Sequence, residues 1–155
     1  IPRPFTSMSV LENLVVPLEY VRHRGSLHTA DTRAEAMQIL EQMGLADKAA
    51  TQSNRLTQVE LRKLELARAM AARPRLLISD ETMAGLSSNE VEEVLAILRK
   101  LNDAGITIIM IEHIMQAVMR FSQRVVCLHA GRIICEGTPE NIVRNPDVQR
   151  AYLGA

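Results

Sequence analysis

The chain has 155 residues, 18 Lys and Arg against 18 Asp and Glu, a formal net charge of +0 and 47% hydrophobic residues. That length fits one domain of modest size, and the charge balance excludes a bulk attraction to nucleic acid or anionic lipid. No apolar run reaches the roughly 18 residues of a membrane-spanning helix, and no charged region followed by an apolar one marks a secretory leader.

The first elements in chain order are helical. Ser9-Val10-Leu11-Glu12 has the spacing of a capping box, and Thr32-Arg33-Ala34-Glu35 repeats it. After the second box, Ala36, Met37, Leu40 and Met43 form an apolar stripe that Gly44 is placed to end. Between the boxes, Arg22-His23-Arg24-Gly25-Ser26 is expected to be a polar surface loop. A third helix is expected from about Leu61 to Ala72, with Thr57 as a cap ahead of it and Pro74 forcing the exit.

From Arg75 onward strand and helix alternate. Leu76-Leu77-Ile78-Ser79 is an apolar run of the kind that forms a parallel strand buried on both faces. Ser87-Ser88-Asn89-Glu90 is another capping box, and Val91, Val94, Leu95, Leu98 and Leu101 repeat at helical spacing up to Gly105. Ile106 to Ile111 is the next strand, rich in β-branched residues. A short helix over Met115–Phe121 follows, then strands over Arg124–Leu128 and Arg132–Cys135 joined by a hairpin at Ala130-Gly131. Thr138 caps a last helix with Pro139 at its first position. Cys127 and Cys135 lie in different apolar runs and read as small buried hydrophobes in a reducing compartment, the cytoplasm.

The candidate chemistry sits where strands end. Ligands of open α/β sheets bind at the carboxyl ends of strands, which is where Asp80-Glu81 and Glu112-His113 fall. An Asp there can hold the Mg²⁺ that offsets phosphate charge, and a neighbouring Glu can orient and deprotonate an attacking water. The same pair also reads as carboxylates stabilising a helix start. His113 is a candidate γ-phosphate sensor, against the alternative of a satisfied surface or core histidine. Leu56-Thr57-Gln58-Val59-Glu60 opens a helix whose N-terminus presents free N–H groups to an anion; a plain capped start explains the segment as well. The basic residues Arg62, Lys63, Arg68, Arg73 and Arg75 read mostly as one solvated helix face, and Phe5 and Tyr20 as surface anchors for a partner.

Together these positions resemble the ATP-binding subunit of an ABC transporter. Leu76-Leu77-Ile78-Ser79-Asp80-Glu81 is similar to a Walker B strand with its catalytic Glu, Ala84-Gly85-Leu86-Ser87 to a D-loop, and Ile111-Glu112-His113 to a switch-histidine loop. Leu56-Thr57-Gln58-Val59-Glu60 stands where the family has Leu-Ser-Gly-Gly-Gln. Ile1-Pro2-Arg3-Pro4-Phe5 with Met8-Ser9-Val10-Leu11-Glu12-Asn13-Leu14 resembles the segment just past the Q-loop. The closing Asn145-Pro146-Asp147-Val148 and Ala151-Tyr152-Leu153-Gly154 resemble the branched-chain amino acid importer subfamily.

The resemblance implies an α/β fold, the C-terminal part of a P-loop NTPase domain. A helical subdomain over 1–73 would carry the signature-like segment. An α/β portion over 74–137 would form a mostly parallel sheet with flanking helices, and 138–155 a helical tail. It implies ATP and Mg²⁺ as cofactors, Asp80 as metal ligand, Glu81 and His113 as catalytic residues, and Thr57, Gln58, Val59 and Glu60 as nucleotide contacts. The partners it implies are a second ATP-binding subunit in a head-to-tail dimer and transmembrane permease subunits reached through the helical subdomain. The place it implies is the inner face of the cell membrane.

Three departures accompany the match. No Gly-x-x-x-x-Gly-Lys-[Ser/Thr] occurs in these residues, and the Q-loop Gln would fall just before Ile1, so the chain is expected to be a fragment inactive alone. Gln58 and Val59 replace two glycines where backbone is expected to approach phosphate. Ser87 replaces the D-loop Asp. The alternative to a transport ATPase is a non-catalytic regulatory or interaction module of the same fold.

Overall fold

The computed structural model describes residues 3–22 and 29–153, and the chain packs as two compact units, Ile1–Ile111 and Glu112–Ala155. In the first unit the order is α1 (Val10–Arg22), α2 (Thr29–Met43), α3 (Gln58–Met70), β1 (Leu76–Asp80), α4 (Ser88–Asp103) and β2 (Thr107–Ile111), with 3₁₀ turns at Ala46–Lys48 and Ser53–Arg55. The second holds α5 (Met115–Phe121), β3 (Val125–His129), β4 (Arg132–Gly137), α6 (Pro139–Arg144), α7 (Pro146–Val148) and a π-helical turn over Gln149–Leu153. Most of the predicted polar loop, residues 23–26, lies outside the described residues.

The first unit begins with helices packed on one another. Val10, Leu14 and Leu18 of α1, Ala36, Leu40 and Met43 of α2, and Leu64 and Ala67 of α3 are all buried. Ser9 and Glu12 form the predicted capping box, the Ser9 N–H donating to Glu12 Oε2 at 2.8 Å and the Glu12 N–H to Ser9 Oγ at 3.2 Å. The second predicted box does not form. Because α2 starts at Thr29, Thr32 falls inside the helix and is buried there, while Glu35 pairs with Arg73 at 2.7 Å. Asn13 supplies an anchor that periodicity does not reveal. Fully buried, it accepts from the Phe5 N–H at 2.7 Å and donates to the Phe5 and Ser9 carbonyls, tying the entry segment to α1.

Arg68 overturns the reading of a solvated basic face. It is buried, lies 4.7 Å from the centre of the Phe5 ring and donates to the Arg3 carbonyl. The reason is tertiary: the entry segment lies against α3, so the Arg68 guanidinium stacks on the half-exposed Phe5 ring and meets the Arg3 carbonyl instead of water.

β1 and β2 pair in parallel, Leu76 opposite Thr107 through Asp80 opposite Ile111. α4 packs against β2 with Val94, Leu95, Leu98 and Leu101 buried. Its capping box forms as predicted, the Ser87 N–H donating to Glu90 Oε2 at 2.7 Å. The expectation of a sheet buried on both faces is corrected. Leu77 and Ser79 are buried, but Leu76, Ile78, Ile109 and Ile111 are about half exposed. Residues paired in register share a face, so these four form one apolar strip opposite the α4 side.

In the second unit β3 and β4 form an antiparallel hairpin with Cys127 opposite Cys135 and an irregularity between Cys127 and Leu128. Ala130 and Gly131 both have positive φ, +46 and +77, the geometry of a two-residue turn that follows the strand twist. Thr138 stands at the N-cap of α6 with Pro139 following, yet without a side-chain bond to the helix N–H groups. Val125, Cys127, Ile142 and Val148 form the core of this unit, with Val118, Ile134 and Cys135 packed against it.

Leu95→Ala should lower the free energy of unfolding by about 2–5 kcal/mol, as truncation of a buried leucine does. Ile109→Ala, on the open face, should cost less than half as much. Equal losses in a denaturant titration would contradict the one-sided burial of the sheet.

Candidate functional site

The last residues of β1 and the turn after it build the site. Asp80 ends the strand opposite Ile111, and the Glu81 N–H donates to the Ile111 carbonyl at 2.9 Å, one step beyond the regular ladder. Immediately there the chain reverses. Glu81 has φ +48, a left-handed conformation costing a non-glycine residue about 1–2 kcal/mol. What offsets that cost is buried beneath it. Ser79 Oγ and Thr82 Oγ1 lie 2.8 Å apart, both shielded from solvent, and Met83 is fully buried. The inward Ser79, Thr82 and Met83 leave Asp80 and Glu81 as exposed neighbouring carboxylates on a fixed turn. The hydroxyl pair was missed from sequence; its only trace there is a serine inside an apolar strand.

The signature-like segment stands against the same turn. Thr57 is the N-cap of α3, and its box with Glu60 is complete: the Thr57 N–H donates to Glu60 Oε2 at 2.8 Å, and the Glu60 N–H to Thr57 Oγ1 at 3.4 Å. The helix therefore starts three residues earlier than periodicity indicates. Hydrogen bonding from the Thr57 backbone holds the Glu60 carboxyl below its usual 4.5, burial opposing, and Lys48 Nζ stands 3.6 Å away. Gln58 and Val59 occupy the first two helical positions, whose N–H groups have no intrahelical acceptor.

The two side chains standing in for glycine are both accommodated within the unit. Val59 is buried. Gln58 Nε2 donates to the Ala84 carbonyl at 3.0 Å, and a Cβ on Gly85 would lie 2.8 Å from that nitrogen. Gly85 has φ +78, so conformation calls for glycine here, and a Cβ would also displace the Gln58 amide from its place.

His113 is exposed and belongs to the second unit, two residues beyond β2 and ahead of α5. The structure thus joins Asp80 and Glu81 on one turn and brings Thr57, Gln58, Val59 and Glu60 to one helix start, tied to that turn by Gln58. No group of three or more His, Cys, Asp or Glu suited to a metal occurs among the described residues. A single exposed carboxylate fits Mg²⁺, which keeps its waters and takes most other ligands from substrate phosphates. No helix among the described residues is long and apolar enough to cross a membrane.

The profile of the family described as ABC transporter matches residues 2–84. The chain belongs to that family. A second profile, the branched-chain amino acid ATP-binding cassette transporter, matches residues 132–155. Among curated ABC proteins, the chain is 39% identical to the high-affinity branched-chain amino acid transport ATP-binding protein LivG of Escherichia coli K12, over 98% of this chain. It is 36% identical to BraF of Pseudomonas aeruginosa, a protein of the same description. The chain spans 64% of the length of each of these relatives.

Among solved structures, the ADP conformation of MJ1267, an ATP-binding cassette of an ABC transporter, superposes with a TM-score of 0.84 at 25% identity. That match covers 100% of this chain and 66% of the other. A dimeric bacterial ABC transporter cassette, MJ0796, superposes with a TM-score of 0.76 at 26% identity, covering 88% of this chain and 59% of its own. The α/β, P-loop NTPase fold expected from the ABC-like motifs is the fold observed.

Two outcomes follow. Gly85→Ala should cost about 1–2 kcal/mol from backbone strain alone, and more while Gln58 is present. The same change in a Gln58→Ala background should cost less, and strict additivity in a double-mutant cycle would contradict the close approach. Because folding lowers the Glu60 pKa, its contribution is present above the unfolded value and lost as pH falls through the folded one. Glu60→Gln should therefore flatten the stability profile below about pH 4.5, while an unchanged acid slope would show that Glu60 does not contribute to it.

Proposed function

We propose that this chain is the hydrolytic portion of the ATP-binding subunit of an ABC importer for branched-chain amino acids or similar solutes. The observation that carries the reading is the exposed Asp80–Glu81 pair, held at the end of β1 by a left-handed Glu81 and a buried hydroxyl clamp. Left-handed non-glycine residues also occur here at Arg73 and Ala130, but Glu81 alone of the three sits at the carboxyl end of a parallel strand beside a second exposed carboxylate. The likeness to LivG and BraF, both branched-chain amino acid transport ATP-binding proteins, supports the solute class.

In this reading Asp80 holds Mg²⁺, which when bound offsets phosphate charge. Glu81 takes the proton of the attacking water, its carboxylate held at a fixed place by the turn. His113 hydrogen-bonds the γ-phosphate, a role resting on its place in the sequence motif. Thr57, Gln58, Val59 and Glu60 form the helix start offered to a nucleotide held by a second ATP-binding subunit, with the leading N–H groups and the positive end of the helix dipole facing phosphate. Two subunits would close head to tail on ATP and reopen after hydrolysis, driving permease subunits through the helical subdomain at the inner face of the membrane.

One observation favours the non-catalytic alternative: Gln58 is engaged with the Ala84 carbonyl, so a side-chain amide occupies space that glycine would leave open. The paired exposed carboxylates on one turn favour catalysis, because a module without chemistry has no need to present both.

In the intact ATP-binding subunit, Glu81→Gln should lower phosphate release at least about 100-fold, the scale of a lost general base, while retaining ATP binding. Unchanged turnover would remove Glu81 from the role. The 155-residue chain by itself, with no phosphate-cradling loop in its sequence, should release no phosphate above background; measurable turnover would overturn that part of the proposal.

A further inference from the structure

The second unit contains a feature that the transport reading does not use. The two cysteines of the chain, Cys127 and Cys135, are directly opposite in the β3–β4 pair. Both pack in the same small core with Val125, Ile142 and Val148, so both side chains lie on one face of the hairpin. Both are free thiols. Directly opposed residues of an antiparallel pair have Cα atoms about 4.5 or 5.5 Å apart, depending on their place in the ladder, and both values lie within the range a disulfide spans. The ladder irregularity falls next to Cys127, on the side away from the Val126–Glu136 pair.

The surroundings divide the two sulfurs by role. Cys127 is buried, and burial, followed by the neighbouring Cys135, pushes its thiol pKa up, so it is not the sulfur that meets peroxide from solvent first. Cys135 is only half-buried and receives a hydrogen bond from Asn145 Nδ2 at 3.1 Å. The orientation of that amide is set by its other end, since Asn145 Oδ1 accepts from the Asp147 and Val148 N–H groups at 2.9 and 3.4 Å as the cap of α7. An N–H donor is therefore held on the more accessible sulfur.

We propose that Cys127 and Cys135 form a peroxide-responsive dithiol site that closes to a reversible cross-strand disulfide within one chain. Cys135 attacks one peroxide oxygen. The O–O bond breaks, water leaves, and the sulfur becomes a sulfenic acid. The Cys127 sulfur then attacks that sulfur, the S–O bond breaks, and a second water carries away the remaining thiol proton. Two thiols are oxidised and one peroxide is reduced to two waters. A thiol reductant reverses the bridge by exchange. The closed form staples the hairpin across the residues that face Ile142 and Val148.

The test uses the purified chain and hydrogen peroxide. Because these are its two cysteines, thiol titration under denaturing conditions reads the pair directly. Peroxide should take the titratable thiols from two to none, lower the intact mass by about 2 Da for the two lost hydrogens, and leave the chain monomeric on a non-reducing gel. Dithiothreitol should restore both thiols. Cys127→Ser should instead accumulate Cys135 sulfenic acid, trapped by dimedone. Retention of both thiols, mass gains in oxygen steps without loss of hydrogen, or disulfide-linked dimers would each overturn the proposal.

Discussion

One hydrogen bond beyond the end of a strand pair organises the candidate site. The β1–β2 ladder could stop at Asp80 and Ile111, but the Glu81 N–H continues to the Ile111 carbonyl. That bond holds the peptide after Asp80 against the neighbouring strand at the point where the chain must reverse. The reversal puts Glu81 into left-handed space. The next residues then turn inward, Thr82 onto Ser79 and Met83 into the core, and Ala84-Gly85 come to rest against Gln58. Two exposed carboxylates, a hydroxyl clamp and the contact with α3 all depend on where one strand ends relative to its neighbour.

The same turn couples two motifs that are 20 or more positions apart in sequence. Gln58 opens α3 and Ala84 follows β1, yet a single amide bridges them. A change in the backbone of residues 84–85 is therefore felt at the N-terminus of α3, and the reverse. In the function proposed above, this contact lies between the carboxylate turn of one nucleotide site and the helix start offered to another. The contact is short, polar and local, so it can be broken and remade without disturbing the hydrophobic packing of α1, α2 and α3.

Much of the fold was legible because its signals are local. The capping boxes at Ser9 and Ser87, the α4 stripe, the α5 bounds and the Ala130-Gly131 turn each follow from residues within one or two turns of one another. The failures share the opposite property. Thr32 carries the residues of a box, but the helix that contains it starts earlier, at Thr29. Arg68 is charged and exposed by pattern, yet Phe5, far away in sequence, draws it out of solvent. The run Leu76–Ser79 has the composition of a strand buried on both sides, whereas burial depends on what packs there, and Leu76 and Ile78 remain half exposed.

The sequence by itself determined the order of elements, the family and the chemical identity of the candidate residues, since order, spacing and side-chain type are properties of the chain alone. Tertiary structure decided the rest: that Glu81 is left-handed, that Ser79 and Thr82 clamp it, that Gln58 reaches Ala84, and that Cys127 faces Cys135. Each of these depends on strand register or on the approach of segments distant in sequence. A one-residue slip would reverse which side chains share a face, and no single segment encodes the register of its partner.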